Sequence, residues 1–250
     1  MSDSKFIDTP EGRRIAYHKT DGAGPCVVFL GGLKSDMMGT KAVYLEDWAR
    51  AEGRAFLRFD YSGHGESSGS FAEGCIGDWH EDTLAAVTAL TEGPLIVVGS
   101  SMGGWQALLL ARQWPERIAG LIGIAAAPDF TEDGYWANFT EAQKQTLAEV
   151  GQVELPSDYM EPYVITRRMI EDGRKRLVLR EALDLPFPVR LLQGTADTAV
   201  STATAVRLLE HAQSPDMQLT LVKDADHRFS DARCLAMIVA AINEVTGREG

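Results

Sequence analysis

The chain has 250 residues, a formal net charge of −12 at neutral pH and a hydrophobic content of 45%. It is long enough for one large α/β domain or two small ones with a substantial core, and its acidic balance disfavours nucleic acid or an anionic membrane surface as partner. No apolar run reaches the roughly 18 residues of a membrane-spanning helix, and Cys26, Cys75 and Cys234 are too scattered for a metal site or a disulfide framework. The first eight residues are too polar for a signal peptide and carry no arginine-rich leader, so a reducing, cytoplasmic location is expected.

Residues 13–18 alternate enough to form an outer strand, and residues 21–25 form a turn. Residues 26–30 predict a buried strand that runs into Gly31-Gly32-Leu33. A helical pattern covers residues 39–52, with Val43, Leu45, Trp48 and Ala49 facing inward. Residues 55–59 are the next strand, followed by a loop rich in Ser and Gly, then a helix over 78–90 stopped by Gly93-Pro94. Strands follow at 95–98, 121–125, 189–192 and 218–222, with helices at 105–112, 202–212 and 231–245. Short strands that are apolar on both faces, alternating with helices, predict an α/β fold with a mostly parallel central sheet flanked by helices.

Residues 128–188 break the alternation. No strand is evident there; helical patterns cover 141–150 and 162–172, and Tyr135, Trp136, Phe139, Tyr159, Met160 and Tyr163 are spread among them. The segment reads as a helical cap inserted between core residues 1–127 and 189–250, over the carboxyl edge of the sheet.

One stretch organises the rest. The strand at 95–98 ends in Gly99-Ser100-Ser101-Met102-Gly103, which fits G-x-S-x-G, and a helix follows at once. A serine on so sharp a turn needs glycine neighbours, because strand and helix must approach closely. The bland reading is an ordinary glycine turn; the flanking strand and helix favour a nucleophile elbow with Ser101 at its tip. Such a serine needs a base, and the base needs a carboxylate to fix its tautomer. Downstream, His211 lies within a predicted helix, whereas His227 lies on a loop after the last strand, at the functional edge of a parallel sheet. His227 is the expected base. Asp197, just past the strand at 189–192, is the expected acid; Asp224 and Asp226 are rivals by nearness in sequence. The oxyanion needs two rigid donors: the Met102 amide at the start of the helix, and a second from Gly31-Gly32-Leu33, where Leu33 is chosen over Gly32.

Other patterns carry less. Gly63-His64-Gly65 does not match a dinucleotide fingerprint, and His64 is expected to be a packing residue of its loop. His80-Glu81 has Leu84 where a zinc helix would have its second histidine. The basic residues Arg167, Arg168, Arg174, Lys175, Arg176 and Arg180 form either a solvated helix face or, more sharply, a contact for a substrate carboxylate.

Taken together, the elbow, the order Ser101–Asp197–His227, and Asp60-Tyr61-Ser62-Gly63-His64-Gly65-Glu66-Ser67 resemble the α/β-hydrolase family over nearly the whole chain. The last of these is similar to the family's D-x-x-G-x-G-x-S loop. Residues 39–42, 58–63, 99–105, 190–192 and 226–228 further resemble a subgroup with mitochondrial members described as palmitoyl-protein thioesterases and acyl-glucuronide esterases. The resemblance implies acyl transfer from a thioester or activated ester, with Ser101, Asp197 and His227 as triad. It implies a small-molecule or acylated substrate and neither a metal nor an organic cofactor. A non-catalytic ligand-binding protein on the same fold, or a perhydrolase or carbon–carbon hydrolase with the same triad, remain alternatives.

Overall fold

The structure is a computed structural model and describes residues 3–155 and 162–247. The strands are β1 (Lys5–Asp8), β2 (Arg14–Thr20), β3 (Ala23–Leu30), β4 (Arg54–Phe59), β5 (Leu95–Ser100), β6 (Ile118–Ile124), β7 (Gln152–Leu155), β8 (Tyr163–Thr166), β9 (Leu183–Asp184), β10 (Val189–Gly194), β11 (Ala212–Gln213) and β12 (Met217–Val222). The α-helices are α1 (Thr40–Ala51), α2 (Ile76–Leu90), α3 (Met102–Gln113), α4 (Glu141–Val150), α5 (Arg167–Gly173), α6 (Thr202–His211) and α7 (Ala232–Val245).

Eight strands make the central sheet in the order β1-β2-β4-β3-β5-β6-β10-β12. Only the β1–β2 and β2–β4 pairs are antiparallel. The two-residue period of a strand sorts the apolar runs into two cores. Val28, Leu30 and Val97 face one side with Trp79 of α2 and Trp105 of α3. Val27, Phe29, Ile96 and Val98 face the other, with Leu45 of α1 and Ile238 and Ile242 of α7. β4 flanks β3 on one side and β5 on the other, so the chain reverses its direction of winding between β3 and β5. A crevice opens outside the carboxyl ends of strands at such a point. The loops carrying Leu33 and Ser101 both start there.

The predicted core strands and helices are all present with small shifts at their ends, and the fold is the predicted α/β class. Some expectations need correction. β1 has no apolar signal, because Lys5, Phe6 and Asp8 are exposed and pairing with β2 makes the strand. In α1, Val43 and Trp48 are only partly covered; Glu46 is buried instead, because Arg58 on β4 reaches it with Nε at 2.8 Å. Residues 128–188 are not strand-free. β7 and β8 form an antiparallel pair, with Val153 opposite Ile165 and both buried. The helix expected over 162–172 starts only at Arg167, where Thr166 caps it by accepting the Met169 amide at 3.1 Å. Strands of only four residues leave little periodic signal. The expected helix at 141–150 is present as α4, opened by a Thr140–Gln143 capping box.

Candidate active site

β5 ends at Ser100 and α3 begins at Met102, leaving Ser101 alone on the turn at φ +55° and ψ −118°. Two glycines make this possible. A Cβ on Gly99 would lie 2.3 Å from the Gly103 carbonyl oxygen, and one on Gly103 would lie 2.0 Å from that of Leu30. The strained serine is held through its backbone. Its amide donates to Ile124 O at 2.9 Å, and its carbonyl accepts the amides of Gly104 and Ala127 at 2.9 and 3.0 Å.

Asp197 follows β10 and His227 follows β12. Their loops touch: the Ala196 amide donates to Ala225 O at 3.0 Å, and a Cβ on Gly194 would fall 2.2 Å from the same oxygen. This contact brings the three expected residues into line. His227 Nδ1 is 2.8 Å from Asp197 Oδ2, and His227 Nε2 is 3.1 Å from Ser101 Oγ. The Asp197 carboxylate only accepts, so Nδ1 carries the proton and Nε2 is left to accept the Ser101 hydroxyl. Burial alone would raise the Asp197 pKa. The bond from His227, the Val200 amide, the His227 charge and Gln193 outweigh it, and the carboxyl is held below its usual range. Asp197 Oδ1 accepts the amides of Ala199 and Val200, both at 2.8 Å, and Oδ2 also accepts Gln193 Nε2 at 3.0 Å. Neither rival takes this role. Asp226 accepts the Phe229 amide at 3.1 Å, and Asp224 is exposed to solvent, while the bond to His227 Nδ1 is made by Asp197. His211 sits at the end of α6, with Nε2 2.7 Å from Glu181 O.

The loop after β3 lies against the serine, since a Cβ on Gly32 would be 3.4 Å from Ser101 Cβ. Gly32 O accepts the Ser35 amide at 3.2 Å and Ser35 Oγ at 2.7 Å. Across a trans peptide the Leu33 N–H points the opposite way, away from Ser35. The Met102 amide, in the first turn of α3, has no acceptor within its helix. His64 is buried against Tyr61, Phe71 and Trp79, as its packing reading expects, and also accepts the Lys34 amide.

Ser101 and His227 open into a cleft of about 750 Å³. One wall, with Phe130, Tyr135 and Tyr163, comes from residues 128–188; the core side carries polar Thr40, Lys41, Arg228 and Ser230 beside apolar Leu33, Ala42 and Val200. Of the aromatic residues expected over the site, Tyr135 and Tyr163 line the cleft. Trp136 and Phe139 pack away from it, and Tyr159 and Met160 lie outside the described residues. Phe130 begins a wide π-type turn, Phe130–Trp136, for which the sequence carries no periodic signal. Lys41 was also missed. Its Nζ donates to Arg228 O, and burial, opposed by Asp226, lowers its pKa to about 8. None of the basic run lines the cleft, and Arg167, Arg168, Arg174, Lys175 and Arg180 are exposed, as the solvated-face reading has it, though most are paired. Arg168 pairs with Asp78, Arg174 with Glu132, Arg176 with Asp172, and Arg180 with Asp129 and Asp133.

Sheet, elbow and aligned Ser, His and Asp are together the architecture of a serine hydrolase. The family model described as serine aminopeptidase, S33 matches residues 25–172. Palmitoyl-protein thioesterase ABHD10, mitochondrial, of Rattus norvegicus is 35% identical over 96% of this chain and 81% of its own. The Homo sapiens protein of the same name is 33% identical over 96% of this chain and 79% of its own. Among solved structures, a hydrolase from Agrobacterium vitis S4 superposes with a TM-score of 0.93 at 38% identity, covering 97% of this chain and 98% of that one. Alpha/beta hydrolase domain-containing protein 10 from mouse gives 0.91 at 34% identity, covering 98% and 99%. The chain belongs to the α/β-hydrolase family of serine hydrolases.

Proposed function

We propose that the protein hydrolyses carboxylic esters or thioesters through an acyl-enzyme on Ser101. The alignment of Ser101 Oγ, His227 and the buried Asp197, at 3.1 and 2.8 Å on the floor of the cleft, carries this reading. His227 Nε2 takes the hydroxyl proton as Ser101 Oγ bonds to the acyl carbon. The carbonyl π pair moves onto oxygen, where the Leu33 and Met102 amides receive it. Collapse breaks the bond to the alcohol or thiol, which leaves with the proton from His227. Water then enters, gives a proton to Nε2 and attacks the same carbon; collapse returns Ser101 and frees the acid. Asp197 stays ionised throughout and stabilises the imidazolium. No metal or organic cofactor takes part in this sequence.

We place the acyl group against Phe130, Tyr135 and Tyr163, and the leaving group toward Lys41 and Ser230, because the aromatic side chains gather on residues 128–188 and the charged ones on the core side. Residues 128–188 are the proposed cap and 1–127 with 189–250 the proposed core. The names of the rat and human relatives support a thioester substrate. Among the described residues no helix is long and apolar enough to cross a membrane. The cytoplasmic location is our proposal; three buried free thiols suit a reducing compartment, whereas the rat and human relatives are named mitochondrial.

A fluorophosphonate probe should label the wild-type protein and leave Ser101→Ala unlabelled. Equal labelling of both would remove Ser101 as nucleophile. Parallel hydrolysis of acyl thioesters, aryl esters and acyl-glucuronides then ranks the leaving groups, and a rate no better on thioesters than on simple aryl esters counts against the thioester reading.

A further inference from the structure

Lys34 sits at φ +56°, in the left-handed region that non-glycine residues seldom occupy. It is the third residue of a turn from Gly32 to Ser35, closed by the Ser35 amide on Gly32 O. The amide at that place in a turn has no partner within the turn. Here it donates to His64 Nε2 at 3.1 Å, and the other ring nitrogen, Nδ1, lies 3.1 Å from Ser62 O. A backbone amide only donates and a carbonyl only accepts. One form of the ring satisfies both, the neutral imidazole with its hydrogen on Nδ1. The ring is 4% exposed and meets Tyr61, Phe71 and Trp79 edge to face, with centroids 5.7, 5.5 and 5.2 Å away, so packing fixes its orientation. The 60–67 loop braces the same segment a second time, where Asp60 Oδ1 accepts the Met37 amide at 2.6 Å.

The turn held in this way contains the Gly32–Leu33 peptide. Left to itself, a lysine at positive φ is more stable back in the right-handed region, where its Cβ does not crowd the backbone. That return would rotate the peptides on either side. We propose that His64 is a positioning residue of the oxyanion hole: its ring, protonated on Nδ1, anchors the Lys34 amide and so keeps the strained turn, with the Leu33 amide in it, facing the oxyanion. This rests on the proposed acyl-transfer function and on Leu33 as donor. His64 does not line the cleft and acts only through the turn.

The test compares wild type, His64→Gln and His64→Phe by kcat and KM on p-nitrophenyl butyrate, by affinity for an alkylboronic acid, and by melting temperature. The boronate adduct on a serine reproduces the tetrahedral oxyanion. Loss of one oxyanion donor costs about 10²–10³ in kcat, so displacing it should cost His64→Phe about 10- to 100-fold. Boronate affinity should fall in step, with KM within about twofold, since ground-state binding does not use the hole. Glutamine offers Oε1 to the Lys34 amide and should bring kcat back to within about fivefold of wild type. Folded His64→Phe with wild-type kcat overturns the proposal. So does an equal loss in both variants that follows melting temperature rather than boronate affinity. If His64→Phe does not fold, ¹⁵N shifts of the wild-type ring decide: a bare Nε2 and protonated Nδ1 support the assignment, and a protonated Nε2 overturns it. Wild type that neither labels with fluorophosphonate nor turns over the ester removes the acyl-transfer reading, and this inference with it. Active wild type beside unaffected variants removes the inference alone.

Discussion

The two sides of the cleft are held by different forces. On the core side, Ser101, Asp197 and His227 sit on turns where backbone meets backbone at distances that exclude a side chain, at Gly99, Gly103 and Gly194. On the other side, residues 128–188 are tied down by carboxylates. Asp129 accepts the amides of Val178 and Leu179 at 2.8 and 3.0 Å and pairs with Arg180; Asp172 accepts the Gly77 amide at 2.6 Å; Arg168 pairs with Asp78. Steric fixation is insensitive to solvent, and the buried Asp129 is screened little; it is the half-exposed Arg168–Asp78 pair that weakens with salt. The reacting groups are therefore held to one geometry by close backbone contact, while residues 128–188 are held by largely buried carboxylates and by apolar side chains such as Ile165, Met169 and Val178.

The largest expected effect is on the core side and on chemistry alone. Asp197→Asn keeps an oxygen for the Ala199 and Val200 amides, so melting temperature should hardly move. His227 loses its tautomer control, and kcat for p-nitrophenyl butyrate should fall about 10⁴-fold. A change below tenfold would mean that Asp197 does not orient His227. On the other side, the leading effect is on stability. Asp129→Ala leaves two buried amides without an acceptor and should cost about 2–4 kcal/mol, read from urea unfolding. A loss below about 0.5 kcal/mol, the error of such a measurement, would show that the clasp does not secure the segment. Arg168→Ala removes a pair whose arginine is half exposed, and should cost about 0.2–1 kcal/mol, falling further in 0.5 M salt, a strength at which screening is roughly complete over such distances.

A pH-dependent effect belongs to the core side of the cleft, at Lys41. Its pKa falls from 10.5 to about 8 on folding. Between those values the unfolded chain binds a proton that the native state does not, so the Lys41 contribution to stability rises with pH across this window. Lys41→Met should remove that rise. The check is the change in urea midpoint between about pH 8 and pH 10 for both proteins; parallel changes would mean that Lys41 titrates normally.

The same contrast explains what could be read from the sequence. The elbow, its partners and the parallel sheet were legible because each depends on local signals: glycines beside Ser101, short β-branched runs, and a histidine and an aspartate just past strand ends. Lys41 and Phe130 were not, since each owes its place to residues far along the chain, and the β7–β8 pair was not, since four-residue strands carry too little periodicity. Lys41 reads as an ordinary surface residue of α1 until Arg228 is brought to it. The partners of Arg168, Arg174, Arg176 and Arg180 were not legible either, because Asp78, Glu132, Asp172 and Asp129 with Asp133 mostly lie outside the run. Only Asp172 is near enough to have been noticed.

The parallel pairing of β6 with β10 sets a limit on how the fold can be trimmed. The chain leaves β6 at the cleft end and must re-enter β10 at the opposite end, so the intervening residues cross the full height of the sheet. For six residues of β10 that is about 20 Å. The crossing is visible where Trp105 Nε1 and Arg112 Nη1 of α3 donate to the carbonyls of Arg176 and Leu177, both at 3.1 Å, and where β9 pairs with β11. Residues 128–188 thus include a structural strut as well as a wall of the cleft. A deletion that closes residue 127 directly onto 189 would tear the sheet apart.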